Sequence, residues 1–235
     1  MTRKSGREVA TFPAAIYDPA CRRCGRLVRF LDRVRKAHPG YHCRPVGPFG
    51  ARDASLVIVG LAPGMHGANA TGRPFTGDYA GELLYATLFK FGYATRERSV
   101  SAADGLRLCD ARITNAVKCL PPGNKPLGKE IGNCNGYLTA ELAMLPAGAS
   151  VLALGRIAHD ACLRALGQAR RGREFAHGAV HELEGGVRLF DSYHCSRYNT
   201  NTRRLTKAMF ERVFAAIARH RSTRRAAIRV VARAA

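Results

Sequence analysis

The chain has 235 residues, of which 46% are hydrophobic, so it can bury one full core, and no run of 18 apolar residues predicts a membrane-spanning helix. Residues 1–20 contain no continuous apolar stretch and predict no secretory signal, which argues against a secreted, disulfide-stabilised fold in spite of eight cysteines. Basic residues outnumber acidic ones by 38 to 17, and the net charge of +21 favours a polyanionic partner such as DNA, although arginine-rich composition alone could produce it. We expect a cytoplasmic monomer with no membrane segment, and by charge alone DNA, RNA and anionic membranes all stay open as its partners.

Short apolar runs and amphipathic stretches alternate along the chain. The apolar runs have the length of buried strands, and the amphipathic stretches repeat at the helical period of 3.6 residues. The predicted strands are residues 55–60, 112–117, 150–154 and 187–192, and the predicted helices are residues 26–36, 81–91, 157–166 and 204–219. This alternation predicts a three-layer α/β/α fold with a central, mostly parallel four-stranded sheet. We assign residues 1–220 to one domain and residues 221–235 to a basic tail.

Polar or glycine-rich motifs follow three of the predicted strands. Ala62 follows the first strand, Asn115 lies in the second and His194 follows the fourth. The carboxyl ends of parallel strands border one crevice, which is where open α/β sheets bind ligands. We therefore expect these three residues to converge on one site.

Four of the cysteines form two pairs. Cys21 and Cys24 are a C-x2-C pair, and Cys119 and Cys134 are a wider C-x14-C pair. Four thiolates can hold one zinc ion or a [4Fe–4S] cluster, and the wide second pair fits a zinc ribbon poorly. The spacing alone leaves zinc, iron–sulfur and no metal open.

The segment over residues 60–78 is dense in glycine and small polar residues, and it joins the first strand to a helix. It contains neither G-x-G-x-x-G nor G-x4-G-K-[ST], so it does not predict a nucleotide-phosphate loop. Its length and Phe75 indicate a walled pocket for a flat ligand, although a plain core role for Phe75 is the simpler interpretation.

These motifs together resemble the signatures of the uracil-DNA glycosylase superfamily. Residues 60–78 are similar to the first signature, residues 114–122 to the middle one and residues 192–206 to the last, in the same order. The resemblance covers roughly residues 17–217. It implies a bacterial or archaeal, nucleoid-associated enzyme that hydrolyses the N-glycosidic bond of uracil in DNA.

Two details resemble family five, the B-type enzymes, and two depart from the pattern. Leu61 and Ala62 stand where families four and one carry an acidic residue, and the ending Thr76-Gly77-Asp78 of the first signature is typical of family five. Cys195 replaces the usual proline of the last signature, and Arg203 replaces a small residue. Loss of the proline would free the backbone torsion next to His194, which bears on activity.

The resemblance also implies a cofactor. In families four and five, positions that match Cys21, Cys24, Cys119 and Cys134 hold a [4Fe–4S] cluster. We interpret that cluster as a structural cross-link, since base hydrolysis requires no redox step.

Glycosidic cleavage requires a flipped-out base that is stacked, read at its edge and stabilised as a leaving anion. Phe75 can stack the base, Asn115 can pair with O4 and N3–H of uracil, and His194 can donate to O2. Asp78 can position water or stabilise the cationic sugar, or it can only cap the following helix. The predicted catalytic residues are Asp78, Asn115 and His194, and the substrate-binding set comprises Gly60, Ala62, Gly64, Phe75, Asn115 and His194. The predicted DNA-binding residues are Ser196, Arg197, Tyr198, Arg203 and Arg204, with Tyr198 as the wedge that fills the gap.

The pocket is predicted to be permissive. Gly64 stands where uracil-specific relatives carry an aromatic residue that blocks the 5-methyl group of thymine. The resemblance accordingly implies activity on hypoxanthine, ethenocytosine and 5-hydroxymethyluracil as well. Two alternatives stay open: a non-catalytic iron–sulfur DNA-binding module of the same fold, and a metal-dependent nucleotide enzyme, for which no carboxylate cluster is found near the strand ends.

Overall fold

The centre of the sheet consists of short apolar strands that are buried on both faces, as their continuous hydrophobic runs require. The computed structural model describes residues 12–234, with side chains described for residues 12–221. Its strands are β1 (Phe49–Gly50), β2 (Leu56–Gly60), β3 (Ala111–Asn115), β4 (Ser150–Leu154), β5 (Val180–Glu182) and β6 (Arg188–Ser192). All four predicted strands are present.

The strand order across the sheet is β1-β3-β2-β4-β6-β5. The four inner strands pair in parallel, whereas β1 and β5 are antiparallel edges. The prediction of a mostly parallel sheet is confirmed, but the sheet has six strands rather than four. The two extra strands were missed because they are only two and three residues long and are not buried.

Helices cover both faces of the sheet, which confirms the three-layer prediction. They are α1 (Gly25–Ala37), α2 (Ala68–Thr71), α3 (Tyr79–Lys90), α4 (Gly128–Leu142), α5 (Arg156–Ala165), α6 (Arg197–Asn201) and α7 (Lys207–Ala234). Alternate residues of β2 point to opposite faces, so Leu56 and Ile58 pack with α3 and α7, while Val57 and Val59 pack with α4 and α5. α1 packs beside α4 in a third, smaller cluster.

The last helix extends past the predicted domain boundary at residue 220. The side chains of residues 222–235 lie outside the described part of the chain, as do residues 1–11, so the basic tail stays a prediction. None of the helices described for residues 12–234 is long and apolar enough to cross a membrane.

The carboxyl ends of the parallel strands are in register, which fixes the loops that follow them. Gly60 of β2 is the direct partner of Asn115 of β3. The ladder continues beyond both strands, because the Ala116 N–H donates to the Gly60 carbonyl at 2.9 Å. On the other side, the Gly155 N–H donates to the Ser192 carbonyl at 2.8 Å. The three motif loops therefore start from one edge.

Candidate active site

A pocket opens at this edge of the sheet, and residues from all three motif loops line it. The predicted residues along its wall are Ala62, Gly64, Phe75, Asp78, Asn115, His194, Ser196 and Arg197. The convergence of Ala62, Asn115 and His194 expected from the strand order is therefore observed. Gly60 lies beneath the wall, against Phe75 and Asn115.

The ring of Phe75 is held in place by its surroundings. Its backbone is in the left-handed region, with φ at 54°, which costs energy for a residue with a side chain. The carbonyl of Phe75 lies so close to Gly81 that a Cβ there would overlap it. The ring stacks on His194, with centroids 5.8 Å apart and 28° between the planes. The structure thus gives Phe75 both a core position, at 6% exposure, and a face toward the pocket.

Asn115 presents an unused acceptor. The residue is 2% exposed, and among the described residues its Oδ1 has no hydrogen-bond partner. A buried carbonyl without a partner costs about 1–3 kcal/mol, so such groups are rare unless a ligand completes them. The acceptor lies at the base of the pocket, where it can accept a hydrogen bond from a bound molecule.

His194 lines the same pocket as a neutral imidazole. Burial lowers its pKa to about 4, so it is uncharged at neutral pH and can donate one N–H. Its loop is fixed without the proline of the family pattern, because Asn199 Nδ2 donates to the His194 carbonyl at 2.8 Å. The Cys195 side chain is fully buried in the core beside this loop.

Asp78 caps α3 and also faces the pocket. Its Oδ1 accepts from the Gly81 N–H at 2.9 Å, which is the N-cap interaction considered as the simpler role. Its Oδ2 faces the first motif loop, where a Cβ on Gly64 would lie 3.6 Å away. Burial raises the pKa of this carboxyl, and the Gly81 N–H opposes that shift. The geometry therefore permits both roles.

The predicted DNA-binding residues lie around the mouth of the pocket and beyond it. The guanidinium of Arg197 lies over the Tyr79 ring at 5.0 Å, and that of Arg204 lies over the Tyr193 ring at 4.6 Å. Ser196 caps α6 by accepting from the Asn199 N–H at 3.4 Å. Tyr198, Arg203 and Arg204 do not line the pocket. Tyr198 is 71% exposed, an unusual position for an aromatic ring.

Arg203 lies in the left-handed region, with φ at 56°. That torsion costs energy for a residue with a side chain, because left-handed backbone favours glycine.

Sequence reasoning missed two polar members of the wall. Tyr79 follows Asp78 directly, and its hydroxyl is 3.2 Å from Thr200 Oγ1, which ties α3 to the His194 loop. Asn124 ends a short 3-10 turn with φ at 56°. The Pro-Pro-Gly-Asn run over residues 121–124 is a turn signal, and it could have placed this loop at the site.

The four paired cysteines surround a second cavity, between α1 and α4. Cys119 and Cys134 are buried, and Cys21 and Cys24 are partly exposed. Burial, reinforced by the neighbouring thiols, raises the pKa of Cys119. Two N–H groups face sulfurs: the Lys118 backbone N–H lies 3.4 Å from Cys134 Sγ, and Asn133 Nδ2 lies 3.5 Å from Cys24 Sγ.

A buried ionic network ties α4 to β3 and to the loop that follows Asn115. Lys118 Nζ lies 3.1 Å from Glu141 Oε2, and Arg112 Nε lies 3.0 Å from Glu141 Oε1. Thr114 Oγ1 donates to the same carboxylate at 2.9 Å. All of these groups are buried, so the loop between Asn115 and Cys119 is anchored to α4 from the inside.

Comparison with known proteins agrees with this arrangement. A family model described as the uracil DNA glycosylase superfamily matches residues 48–218. A type-5 uracil-DNA glycosylase of Thermus thermophilus is 45% identical over 196 residues, covering 81% of this chain and 89% of the relative. The type-5 enzyme of Mycobacterium leprae is 44% identical over 202 residues, covering 83% and 88%. A type-4 enzyme of Archaeoglobus fulgidus is 36% identical over only 110 residues, covering 46% and 47%.

Proposed function

This chain belongs to the uracil-DNA glycosylase superfamily, and on that basis we propose that it is a monofunctional uracil-DNA glycosylase of DNA repair. DNA is its substrate, and the reaction hydrolyses the bond between uracil N1 and the sugar C1′. One observation carries the proposal: an Asn115 Oδ1 without a hydrogen-bond partner and a neutral His194 line the same pocket.

Recognition of the flipped base follows from the donors and acceptors of the pocket. Asn115 Oδ1 accepts from N3–H of uracil while its Nδ2 donates to O4, which discriminates against cytosine. Phe75 stacks on one face of the base. Its ring packs against Gly60, which keeps the ring in position. Adenine in the same position would present the opposite pattern, because it carries an amino group at C6 and no hydrogen on N1.

Bond cleavage needs stabilisation of two opposite charges. The N1–C1′ electron pair leaves with the base, and His194 donates its N–H to O2 as negative charge builds there. Its low pKa keeps the imidazole neutral, so it acts as a hydrogen-bond donor and transfers no proton. Water adds at C1′, with its proton passing to Asp78 or to solvent. The uracil anion then takes a proton from solvent, so the products are free uracil and an abasic site.

DNA docking uses the arginines near the pocket. Arg197 is exposed and lies between the pocket and a neighbouring groove. Tyr198 projects from the same short helix, and we propose that it fills the gap left by the flipped nucleotide. Arg203 and Arg204, both exposed, hold the flanking phosphates.

The four cysteines are proposed to hold a [4Fe–4S] cluster. The wide C-x14-C pair fits a zinc ribbon poorly, and N–H groups face two of the four sulfurs. Hydrogen bonds to the sulfurs are usual around iron–sulfur clusters, so these observations support the cluster over a single ion.

The cluster would supply cross-linking rather than chemistry. It would join the segment before α1 to the loop after Asn115 and to α4, next to the ion pair between Arg26 and Glu130 at 2.7 Å. Iron and sulfide analysis of Cys119→Ser tests this, with Cys43→Ser as the control, because Cys43 is buried but lies outside the quartet. One zinc and no iron in the wild type would refute the proposal.

Substrate breadth is proposed from the space at Gly64. A Cβ there would meet only Asp78 Oδ2, at 3.6 Å, so the wall is open. We propose activity on hypoxanthine, ethenocytosine and 5-hydroxymethyluracil in addition to uracil. Release from a lesion panel by the wild type and by Gly64→Tyr tests this. The variant should keep uracil and lose the bulkier bases, and an unchanged profile would contradict the open wall.

The deciding experiment for the function itself is the detection of free base. Uracil-containing oligonucleotide, incubated with purified protein, should yield free uracil and an intact abasic strand in stoichiometric amounts. The non-catalytic alternative predicts DNA binding without free uracil. Strand scission without added alkali would contradict a monofunctional enzyme.

A further inference from the structure

A second cluster of ligand-type side chains lies away from the pocket and from the cysteines. His159 on α5, His181 on β5 and Asp191 on β6 place one ligand atom each within 4.8 Å of the others. His159 Nδ1 is 2.8 Å from Asp191 Oδ1, and His181 Nε2 is 3.1 Å from Asp191 Oδ2. The Asp191 side chain is fully buried and that of His181 is 11% exposed. A buried carboxylate of this kind requires a compensating positive charge.

The contacts of His159 define where that charge must lie. Its Nε2 is 2.8 Å from the Arg173 carbonyl, which can only accept, so Nε2 carries a hydrogen. Its Nδ1 therefore faces the Asp191 carboxylate across 2.8 Å, a hydrogen-bond distance that a proton on Nδ1 spans, and a metal ion bound by both groups would replace that proton. An N–H donated to a backbone carbonyl is also the usual outer contact of a metal-binding histidine.

We propose that His159, His181 and Asp191 form a binding site for a divalent transition-metal ion, with Zn²⁺ as the best match. Two imidazole nitrogens and one carboxylate are ligands that Zn²⁺ prefers, and Asp191 directs one oxygen toward each histidine. The site uses none of the four paired cysteines, so it is separate from the proposed cluster.

The site would stabilise an edge of the sheet. β5 has three residues and, within residues 12–234, it pairs with β6 alone. One ion would join α5 to the hairpin that β5 and β6 form. Asp191 precedes the His194 loop by three residues, so the same ion would stabilise the strand end from which that loop starts.

Cobalt titration of the full-length, iron-loaded protein tests the proposal. Co²⁺ bound by nitrogen and oxygen gives weak visible bands, whereas cysteine-bound Co²⁺ adds intense near-ultraviolet charge transfer. We expect one equivalent with the weak bands alone in the wild type and in His177→Gln, a histidine of the same region outside the trio. His181→Gln should lose that equivalent. Zn²⁺ at a hundredfold excess over its Kd should raise Tm by roughly 5–10 °C, except in His181→Gln.

Equal cobalt uptake by the wild type and His181→Gln would overturn the proposal, and so would charge-transfer bands alone. Either result would mean that a proton, and not a metal ion, lies between His159 and Asp191. If His181→Gln fails to fold, histidine ring NMR of the wild type decides instead. Added Zn²⁺ should then shift the ring signals of His159 and His181 and leave those of His177 unchanged. Unshifted signals for all three histidines would overturn the site.

Discussion

Gly60→Ala should damage the active site by displacing the two side chains that are proposed to hold the flipped base. A Cβ on Gly60 would overlap Asn115 Oδ1 and lie 2.7 Å from Phe75 Cζ. Ordinary contact begins at 3.4 Å, so the ring must retreat by about 0.7 Å and the amide must move as well. Displacements near 1 Å at reacting groups cost on the order of 10²-fold. We expect kcat/KM for uracil release to fall by about 10–10², with a loss of about 1–3 kcal/mol of stability from overpacking.

The assay is single-turnover release of uracil from single-stranded DNA, with thermal unfolding measured on the same samples. Gly64→Ala is the matched control, because its Cβ would meet only Asp78 Oδ2 at 3.6 Å, and it should stay within about threefold of the wild type. A Gly60→Ala rate equal to that of Gly64→Ala, in folded protein, would show that the positions of Phe75 and Asn115 do not limit the reaction.

Four further outcomes follow from the site and its surroundings. His194→Ala should lower the single-turnover rate of uracil release by a factor on the order of 10²–10³, while DNA affinity changes little. An unchanged rate would contradict the proposed role of His194. The pKa of His194 is about 4 in the folded protein and about 6.5 when unfolded. As pH falls from 6.5 to 4, the free energy of unfolding of the wild type should therefore fall by up to about 3 kcal/mol more than that of His194→Leu, measured by urea unfolding. Gly136→Ala should raise the free energy of unfolding by about 0.5–1 kcal/mol, since a Cβ there meets nothing within 4 Å in exposed helix; a destabilised variant would contradict this. Affinity for undamaged duplex should fall steeply from 50 to 200 mM salt, given the net charge of +21, and a flat salt profile would exclude the basic surface as the DNA face.

The inner strands could be predicted because burial on both faces leaves continuous apolar runs, as in residues 150–154. α4 could not be predicted, because Gly128, Gly132 and Gly136 lower its helix propensity over only 15 residues. Tertiary contacts compensate: Tyr137 and Leu138 are buried, and Glu130 accepts from the Leu127 N–H at 2.8 Å at the start of the helix. Such contacts are not visible in a local pattern.

The active site was partly predictable for a different reason. Parallel topology brings strand ends together, so the sequence alone assigns Asn115 and His194 to one crevice. Tyr79 could not, because its role depends on a hydroxyl contact with Thr200, 121 residues away. The proposed metal site was missed for the same reason, as its ligands come from a helix and two strands with no sequence motif.

The placement of Asn115 also gives a physical reason for the proposed cluster, although base hydrolysis transfers no electrons. An acceptor that must stay unpartnered until a base arrives cannot be held by hydrogen bonds to itself, so its backbone must be fixed instead. On one side, the ladder to Gly60 fixes it. On the other side, Lys118 forms an ion pair with Glu141, and Cys119 follows directly in the chain. A cluster ligated by Cys119 would immobilise the loop four residues beyond Asn115, and so would reduce the entropy lost when uracil binds.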